Sequence, residues 1–461
     1  MFIGREYELD ELNKLYNQDK FQFVVIYGRR RVGKTTLINE FCKDKPNIFF
    51  VAEEYNDKIA LENFSDKILT YFDLKDYMGN FESYEKAFSF LGKQTEKERL
   101  VVVIDEFPYI VSSNKSIPSI LQNIIDHKLI NTKLFLIICG SSLSFMEKEV
   151  LSYKSPLYGR RTAQFKIEPF DYFDSKKFFN NYRVEDKIKS YSILGGIPQY
   201  LLKFDDSKSI KENVIENLLN KYSYLYEEPK NLLKQELREP ALYNSIIEAI
   251  ALGCSKLNEI STKIGESTDK CAKYINTLIE LDIVKKELPC SEKNQKRKTI
   301  YNLKDNLFKF WYRFVFTNYS LIEQGLVEYV YDNKIELYFN DYISSVFEEI
   351  CIQHLKNLNK DMKLPFVFED IGRWWGNNPL KKREEEIDIL AVSRDNAIFG
   401  ECKWRNEPLN MTVVNSLFEK SRILDYKNKY YAFFSKSGFS EDVIRFARDN
   451  DNMLLFDLNV L

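Results

Sequence analysis

Two sets of residues in this 461-residue chain have the types and spacing to do chemistry. The first is Gly28-Arg29-Arg30-Arg31-Val32-Gly33-Lys34-Thr35, followed by Thr36, which fits G-x-x-x-x-G-K-[ST]. Glycines let backbone N–H groups approach a polyphosphate. A lysine here can neutralise β- and γ-phosphates, and the hydroxyl of Thr35 can ligate Mg²⁺. The apolar run Phe23–Tyr27 predicts a buried strand leading in, and the run from Thr36 to Phe41 a helix leading out. Strand, glycine loop and helix N-terminus together make an anion cradle. Downstream, the apolar run Leu100–Ile104 ends in Asp105-Glu106. Asp105 would hold Mg²⁺, directly or through water, and Glu106 would orient and activate an attacking water. Ser141 and Ser142, just past the apolar run 134–140, stand where a polar group could sense a γ-phosphate. This set implies a bound nucleoside triphosphate.

The second set is Asp388, Glu401 and Lys403. Residues two apart on a strand point to one face, so Glu401 and Lys403 share a side. Asp388 lies across a predicted hairpin and joins them if the register allows. Carboxylates gathered on one face repel unless a divalent cation neutralises them. Mg²⁺, or Mn²⁺ in its place, could polarise a phosphodiester there and generate hydroxide. Lys403 would position the nucleophile or offset charge on the pentacovalent state. A predicted helix over 341–358 carries Glu348 and Glu349, and either could complete the metal shell.

The elements that must position these groups follow from hydrophobic pattern. Continuous apolar strands alternating with helices imply a parallel sheet covered on both faces over residues 1–168. Residues 169–235 read as a helical subdomain, broken at Gly195-Gly196-Ile197-Pro198. Within 236–325, helical patterns at 242–252, 257–264 and 268–281 precede strands at 283–288 and 299–303, the outline of a winged helix-turn-helix. The aromatic run Phe308, Phe310, Trp311, Tyr312, Phe314 and Phe316 would pack this part against its neighbours. Over 335–461, strands at 387–392 and 397–403 form a hairpin with a four-residue turn, followed by helix, strand, helix and strand. The fold class expected is therefore multidomain α/β.

Composition narrows the partners. Net charge is −2, so contact with nucleic acid requires a local patch. Segment 285–298 supplies one, with six basic residues (Lys285, Lys286, Lys293, Lys296, Arg297, Lys298) against Glu287 and Glu292. The seven cysteines form no C-x-x-C pair, which argues against a zinc ribbon and a disulfide framework and fits a reducing, cytoplasmic setting. Two histidines make a Ser-His-Asp triad improbable. The sequence has neither a signal-type N-terminus nor an uncharged run of spanning length, so no membrane partner is expected.

In order along the chain, FIGRE at 2–6, the octad GRRRVGKT, VVVIDEFPYI at 101–110, ICGSSLSFM at 138–146, PLYGRRT at 156–162 and GGIPQYL at 195–201 resemble the archaeal-type ATPase family. That family is AAA-like and related to the signal-transduction ATPases with numerous domains. The resemblance implies ATP as the nucleotide. It implies that Gly4 and Arg5 line the base pocket, that Pro198 closes it, and that Arg160 or Arg161, with Arg161 preferred, senses or stabilises the γ-phosphate. Whether that arginine acts within its own chain or across a homo-oligomer boundary stays open. The C-terminal pattern, a helix Glu, then EIDILAV and FGECKW, resembles the PD-(D/E)XK nuclease family, a restriction-endonuclease-like α/β fold, here with Ile387 where the family name has proline. It implies Asp388, Glu401 and Lys403 as the core, Glu348 as the likelier helix acid, and DNA as substrate. The combined expectation is an ATP-controlled nuclease, with defence or mobile-element biology a natural setting. The alternative is a regulatory ATPase whose C-terminal domain binds DNA or a protein without cutting.

Overall fold

A computed structural model describes every residue except Met1, Arg238, Lys293, Asn294 and Leu380, and every described side chain except that of Lys296. Lys293 of the basic run thus lies outside the described residues. The chain divides into two compact units. One runs to Pro169 and takes in Ile197–Gln199; the other holds Phe170–Gly196 and Tyr200–Leu461.

The first unit is built on five parallel strands: β1 (Gln22–Tyr27), β2 (Asn47–Val51), β3 (Leu100–Asp105), β4 (Leu134–Gly140) and β5 (Ala163–Lys166), in the order β2-β3-β4-β1-β5. Strands β1, β3 and β4 are buried along their whole length, so they read as unbroken apolar runs. Helices Asp57–Tyr71, Tyr84–Gln94 and Ile117–Ile124 send Phe64, Ile68, Phe88, Leu91 and Leu121 into one core with Val25, Val102 and Leu136. Parallel strands place all carboxyl ends at one edge, where ligands of open α/β sheets bind.

The second unit begins with helices, among them Val184–Leu194 and Tyr224–Glu236. Helices Pro240–Ala251, Leu257–Ile264 and Thr268–Glu280 follow, then the antiparallel ribbon β6 (Val284–Glu287) and β7 (Ile300–Leu303). The aromatic run is interior: Phe308, Phe310, Trp311 and Tyr312 are each 0% exposed. Trp311 Nε1 donates to the carbonyl of Tyr226 at 2.8 Å. No helix among the described residues is long and apolar enough to cross a membrane.

The long helix Glu336–Lys360 then packs on a mixed sheet of order β12-β11-β10-β9-β8. Its strands are β8 (Asp370–Asn378), β9 (Arg383–Ser393), β10 (Asn396–Lys403), β11 (Asn428–Ser435) and β12 (Met453–Asp457). The β8–β9 and β9–β10 pairs are antiparallel; β10–β11 and β11–β12 are parallel. The hairpin turn is tighter than expected. Ser393 pairs with Asn396, leaving only Arg394-Asp395 between the strands, with Arg394 at φ 50°. Positive φ at such a turn matches the twist of the flanking strands.

Candidate functional site

At the carboxyl edge of the first sheet the expected nucleotide residues converge. Gly28 has to be glycine, because a Cβ there would stand 2.3 Å from the carbonyl oxygen of Ile167. Gly33, at φ 91°, turns the loop into helix Lys34–Cys42. Lys34 is buried, and desolvation lowers its pKa. Its ammonium donates to the carbonyls of Gly28 (2.9 Å) and Arg29 (3.0 Å), which leaves one N–H for a phosphate oxygen. The hydroxyl of Thr35 donates to Asp105 Oδ2 at 2.9 Å. Asp105 Oδ1 accepts from the Glu106 amide at 3.0 Å. Thr35 and Asp105 thus offer the hard oxygens that Mg²⁺ prefers.

Glu106 sits at φ 53°, capping helix Phe107–Ser113. A bulky residue in left-handed backbone is uncommon, and such strained positions cluster at functional sites. Its Oε2 accepts from the hydroxyl of Ser141 at 2.9 Å and from the Ser141 amide at 3.3 Å. Ser141, expected to sense a phosphate, therefore holds the carboxylate of Glu106. Arg5 hydrogen-bonds the carbonyls of Val32, at 3.2 Å, and Glu168, and pairs with Glu8. Its guanidinium thus ties the N-terminal segment to the glycine loop. Pro198 lies over that loop, its Cγ 3.7 Å from where a Cβ on Gly33 would stand. Of the two arginines, Arg160 is bound to Asp126 through Nε (2.9 Å) and an Nη (2.7 Å). Arg161 lies 5.4 Å from the Tyr158 ring, and one Nη is buried without a hydrogen-bond partner among the described residues.

The second constellation lies in the other unit. The β9–β10 register runs to Gly400↔Ile389, so Glu401 and Asp388 come next on their strands. The β8–β9 ladder slips one residue between Gly372 and Trp374, so Asp388 and Ile389 together face Arg373. Such bulges re-aim side chains beside functional sites. Asp388 Oδ2 accepts from the Cys402 amide at 2.9 Å. Burial, then repulsion from Glu401, raises the Asp388 pKa. Glu348, on the long helix, is pushed up to about 8 by burial and then by Asp388. Lys403 donates to Glu401 Oε1 at 2.5 Å, and Glu401 and Asp388 raise its pKa against the opposing effect of burial.

Sequence reasoning missed two residues here. Lys420, on helix Met411–Ser421, reaches Glu401 Oε2 at 3.3 Å, and Arg373 approaches Glu348 at 3.4 Å. Neither has a spacing cue, because both arrive through tertiary packing. Glu349 turns instead to Lys285, 2.5 Å away. Among the described residues, no group of three or more Cys, His, Asp or Glu is drawn together to hold a metal ion. The donor chemistry nevertheless suits one: Asp388, Glu401 and Glu348 are oxygen donors whose mutual repulsion a divalent cation would relieve.

The basic ribbon is largely committed inside its own unit. Lys285 pairs with Glu287 at 2.8 Å as well as with Glu349, and Lys298 with Glu292 at 2.5 Å. The Cys290 amide donates to the Arg373 carbonyl at 2.8 Å. Trp374 Nε1 donates to Glu292 at 3.1 Å, and Trp375 Nε1 to the Lys298 carbonyl at 3.2 Å. Lys285 and Lys298 of the basic patch are thus paired with carboxylates of this same unit. Lys286 and Arg297 remain exposed.

Fold and first site together define a P-loop ATPase. Comparison with known proteins agrees. Residues 2–204 match an ATPase domain predominantly from Archaea, and residues 311–416 match archaeal and bacterial proteins of unknown function. The uncharacterized protein MJECL04 of Methanocaldococcus jannaschii is 36% identical over 464 residues, covering 99% of both chains. The ATP-binding protein MJ0423 of the same organism is 47% identical over 45 residues, 10% of this chain and 76% of that one. Similar solved structures include Cdc6p from Pyrobaculum aerophilum (13% identity, 70% of this chain and 94% of that one, TM-score 0.32). A STAND protein with a tetratricopeptide repeat sensor from Pyrococcus horikoshii is 16% identical over 78% of this chain and 51% of that one, with TM-score 0.31. The chain belongs to one family with the M. jannaschii protein MJECL04, and its residues 2–204 form an archaeal-type ATPase domain.

Proposed function

We propose that this ATPase is a switch controlling a metal-dependent nuclease in its C-terminal part, with DNA as substrate. What carries the reading is the grouping of Asp388, Glu401 and Lys403 at the end of one hairpin, with Glu348 inside the field of Asp388. In the ATPase, Lys34 neutralises phosphate charge, Thr35 and Asp105 hold Mg²⁺, and Glu106, fixed by Ser141, orients the attacking water. Arg161 is the candidate for γ-phosphate contact, since Arg160 is held by Asp126. Gly4, Arg5 and Pro198 frame the base. In the nuclease part, Mg²⁺ or Mn²⁺ when bound supplies Lewis-acid activation of a phosphodiester. Asp388 and Glu401 would hold it, with Glu348 as third donor. Lys403 leaves Glu401 for the developing charge on phosphorus. The three helices and ribbon of 240–303 form a winged helix that carries the nucleotide state to this site.

The test is cleavage of plasmid and single-stranded DNA with Mg²⁺ or Mn²⁺, with and without ATP. Wild type, Lys34→Ala and Lys403→Ala are compared. Loss of cleavage in Lys403→Ala is expected, with ATP dependence that Lys34→Ala removes. Cleavage that survives Lys403→Ala sinks the nuclease assignment. A second reading is favoured by one observation: both oxygens of Glu401 are taken by lysines, Lys403 and Lys420. On that reading the C-terminal part binds DNA or a protein without cutting, and ATP turnover is the only reaction.

A further inference from the structure

A cavity of about 300 Å³ opens between the ribbon, the helix that begins at Asn306, the long helix and β8. Its charged lining is Lys285, Lys309, Lys356 and Arg373 against Glu287, Glu348 and Glu349. The pairing inside it is uneven. Lys285 satisfies both Glu287 and Glu349, at 2.8 and 2.5 Å. Arg373 lies 3.4 Å from Glu348, 3.6 Å from Glu386 and 4.0 Å from Glu287, yet its guanidinium makes no hydrogen bond among the described residues. Lys309 donates to the hydroxyl of Ser345 at 2.6 Å and has no carboxylate partner among them. The Tyr342 ring lies 5.8 Å from the ammonium, and Glu349 and Glu348 act on it at longer range against Lys285 and Arg313.

Lys309 has one neutral hydrogen-bond acceptor, and Arg373, a third exposed, is ion-paired with three carboxylates without a hydrogen bond to any of them among the described residues. Burial disfavours the charge on Lys309, so a further acceptor supplied by a ligand would be worth most there. A tetrahedral anion with several oxygens meets a lysine and an arginine at once, with charge-assisted bonds to each. The volume suits such a group with a small organic appendage and lies at the low end for ligand pockets.

We propose that this cavity binds a small molecule through its phosphate group, with Lys309 as the anchor and Arg373 as the second contact. The site is separate from the glycine loop; it shares Glu348 with the proposed metal site, and the metal-free phosphate uptake that tests it does not depend on whether the C-terminal part cuts DNA. Because the ribbon strand contributes Lys285 and Glu287, occupancy bears directly on how the ribbon is held to the long helix.

The experiment uses full-length protein carrying Lys34→Ala, so that the glycine loop does not contribute, without divalent metal. Uptake of radiolabelled inorganic phosphate and of a nucleoside monophosphate is measured by equilibrium dialysis, with sulfate and acetate as competitors. Saturable uptake of roughly one equivalent is expected, competed by sulfate and not by acetate. Adding Lys309→Met should weaken it by about tenfold or more, while Lys309→Arg retains it. Tighter uptake of the nucleotide identifies a phosphorylated organic ligand; equal uptake identifies free phosphate. Should Lys309→Met misfold, Arg373→Gln carries the same comparison. No saturable uptake of either probe, or uptake unchanged by Lys309→Met, overturns the proposal.

Discussion

The Thr35 hydroxyl donates to Asp105 Oδ2 at 2.9 Å, across seventy residues of sequence. This bond fixes the distance between the first turn of the Lys34 helix and the end of β3. Both groups are hard oxygen donors, and both stand at the same sheet edge. Thr35→Ala and Asp105→Asn should therefore lower ATP turnover together, each by roughly a hundredfold, with the Mg²⁺ requirement shifted upward. ATP binding should fall much less, because Lys34 and the loop amides hold the phosphates independently. Phosphate release across a Mg²⁺ titration, set beside nucleotide binding, makes the comparison. Equal loss of binding and turnover would count against a metal-holding role.

Ser141 and Glu106 make a second coupled pair. The hydroxyl that spans 2.9 Å to Glu106 Oε2 restrains a carboxylate carried on left-handed backbone. Ser141→Ala should leave the carboxylate present but poorly aimed, lowering kcat by about tenfold with little change in KM. Glu106→Gln should cost more, because it removes the carboxylate charge that polarises the attacking water. Steady-state ATPase kinetics on both variants check this; a Ser141→Ala effect confined to KM would point instead to phosphate contact.

How far the sequence carried depended on burial and on range. Strands β1, β3 and β4 are covered on both faces, so their residues had to be apolar and the pattern was plain. Strand β5 is an edge strand that alternates intermediate and exposed residues over only four positions, too short and mixed to stand out. Strand β8 hides behind Gly372, Gly376, Asn377 and Asn378, residues that read as turn formers; it is held by pairing with β9 rather than by propensity. Lys34, Thr35 and Asp105 were legible because the chemistry fixes their spacing or strand-end position. Lys420, Arg373 and Lys309 were not, because their contacts form only where separate elements meet. The pairing of the basic ribbon was hidden for the same reason: the acids that neutralise Lys285 and Lys298 include Glu349, more than sixty residues further on.

Glu348 should show itself in the pH dependence of stability. Its folded pKa is raised to about 8 by burial and by Asp388, above the unfolded value near 4.5. For a raised carboxyl, the relative stabilisation is complete below the unfolded pKa and is lost as pH rises through the folded one. Between about pH 5 and pH 8, wild type should therefore lose stability that Glu348→Gln keeps, with a difference on the order of 1–3 kcal/mol at the alkaline end. Thermal melts of both proteins at several pH values, without metal, test this. Parallel curves would mean that Glu348 ionises freely. Added Mn²⁺ should flatten the wild-type curve and leave Glu348→Gln unmoved, since a cation stabilises the ionised form.

His354 gives the opposite sign. It is 8% exposed, enclosed by Phe173, Phe434 and Phe456 with ring centroids 6.0, 6.1 and 5.1 Å away. Burial lowers its pKa from 6.5 to about 4, with Lys176 adding to the effect. A histidine held neutral contributes stability above its unfolded pKa and loses it as pH falls toward the folded one. Wild type should therefore weaken between about pH 6.5 and pH 4 by up to about 3 kcal/mol from this residue alone. His354→Phe keeps an apolar ring in the cage and cannot take a proton, so its stability should fall less steeply across that window. Because the cage joins the long helix to β11, β12 and the segment around Phe173, loss of far-UV signal from the second unit should lead the acid transition. Urea midpoints for the two proteins at pH 7, 6, 5 and 4 decide the matter, since carboxylate effects common to both cancel in the difference. A constant gap across the series would show that His354 is not protonated on unfolding in this range, and the aromatic cage would then be a packing feature without a pH-dependent contribution.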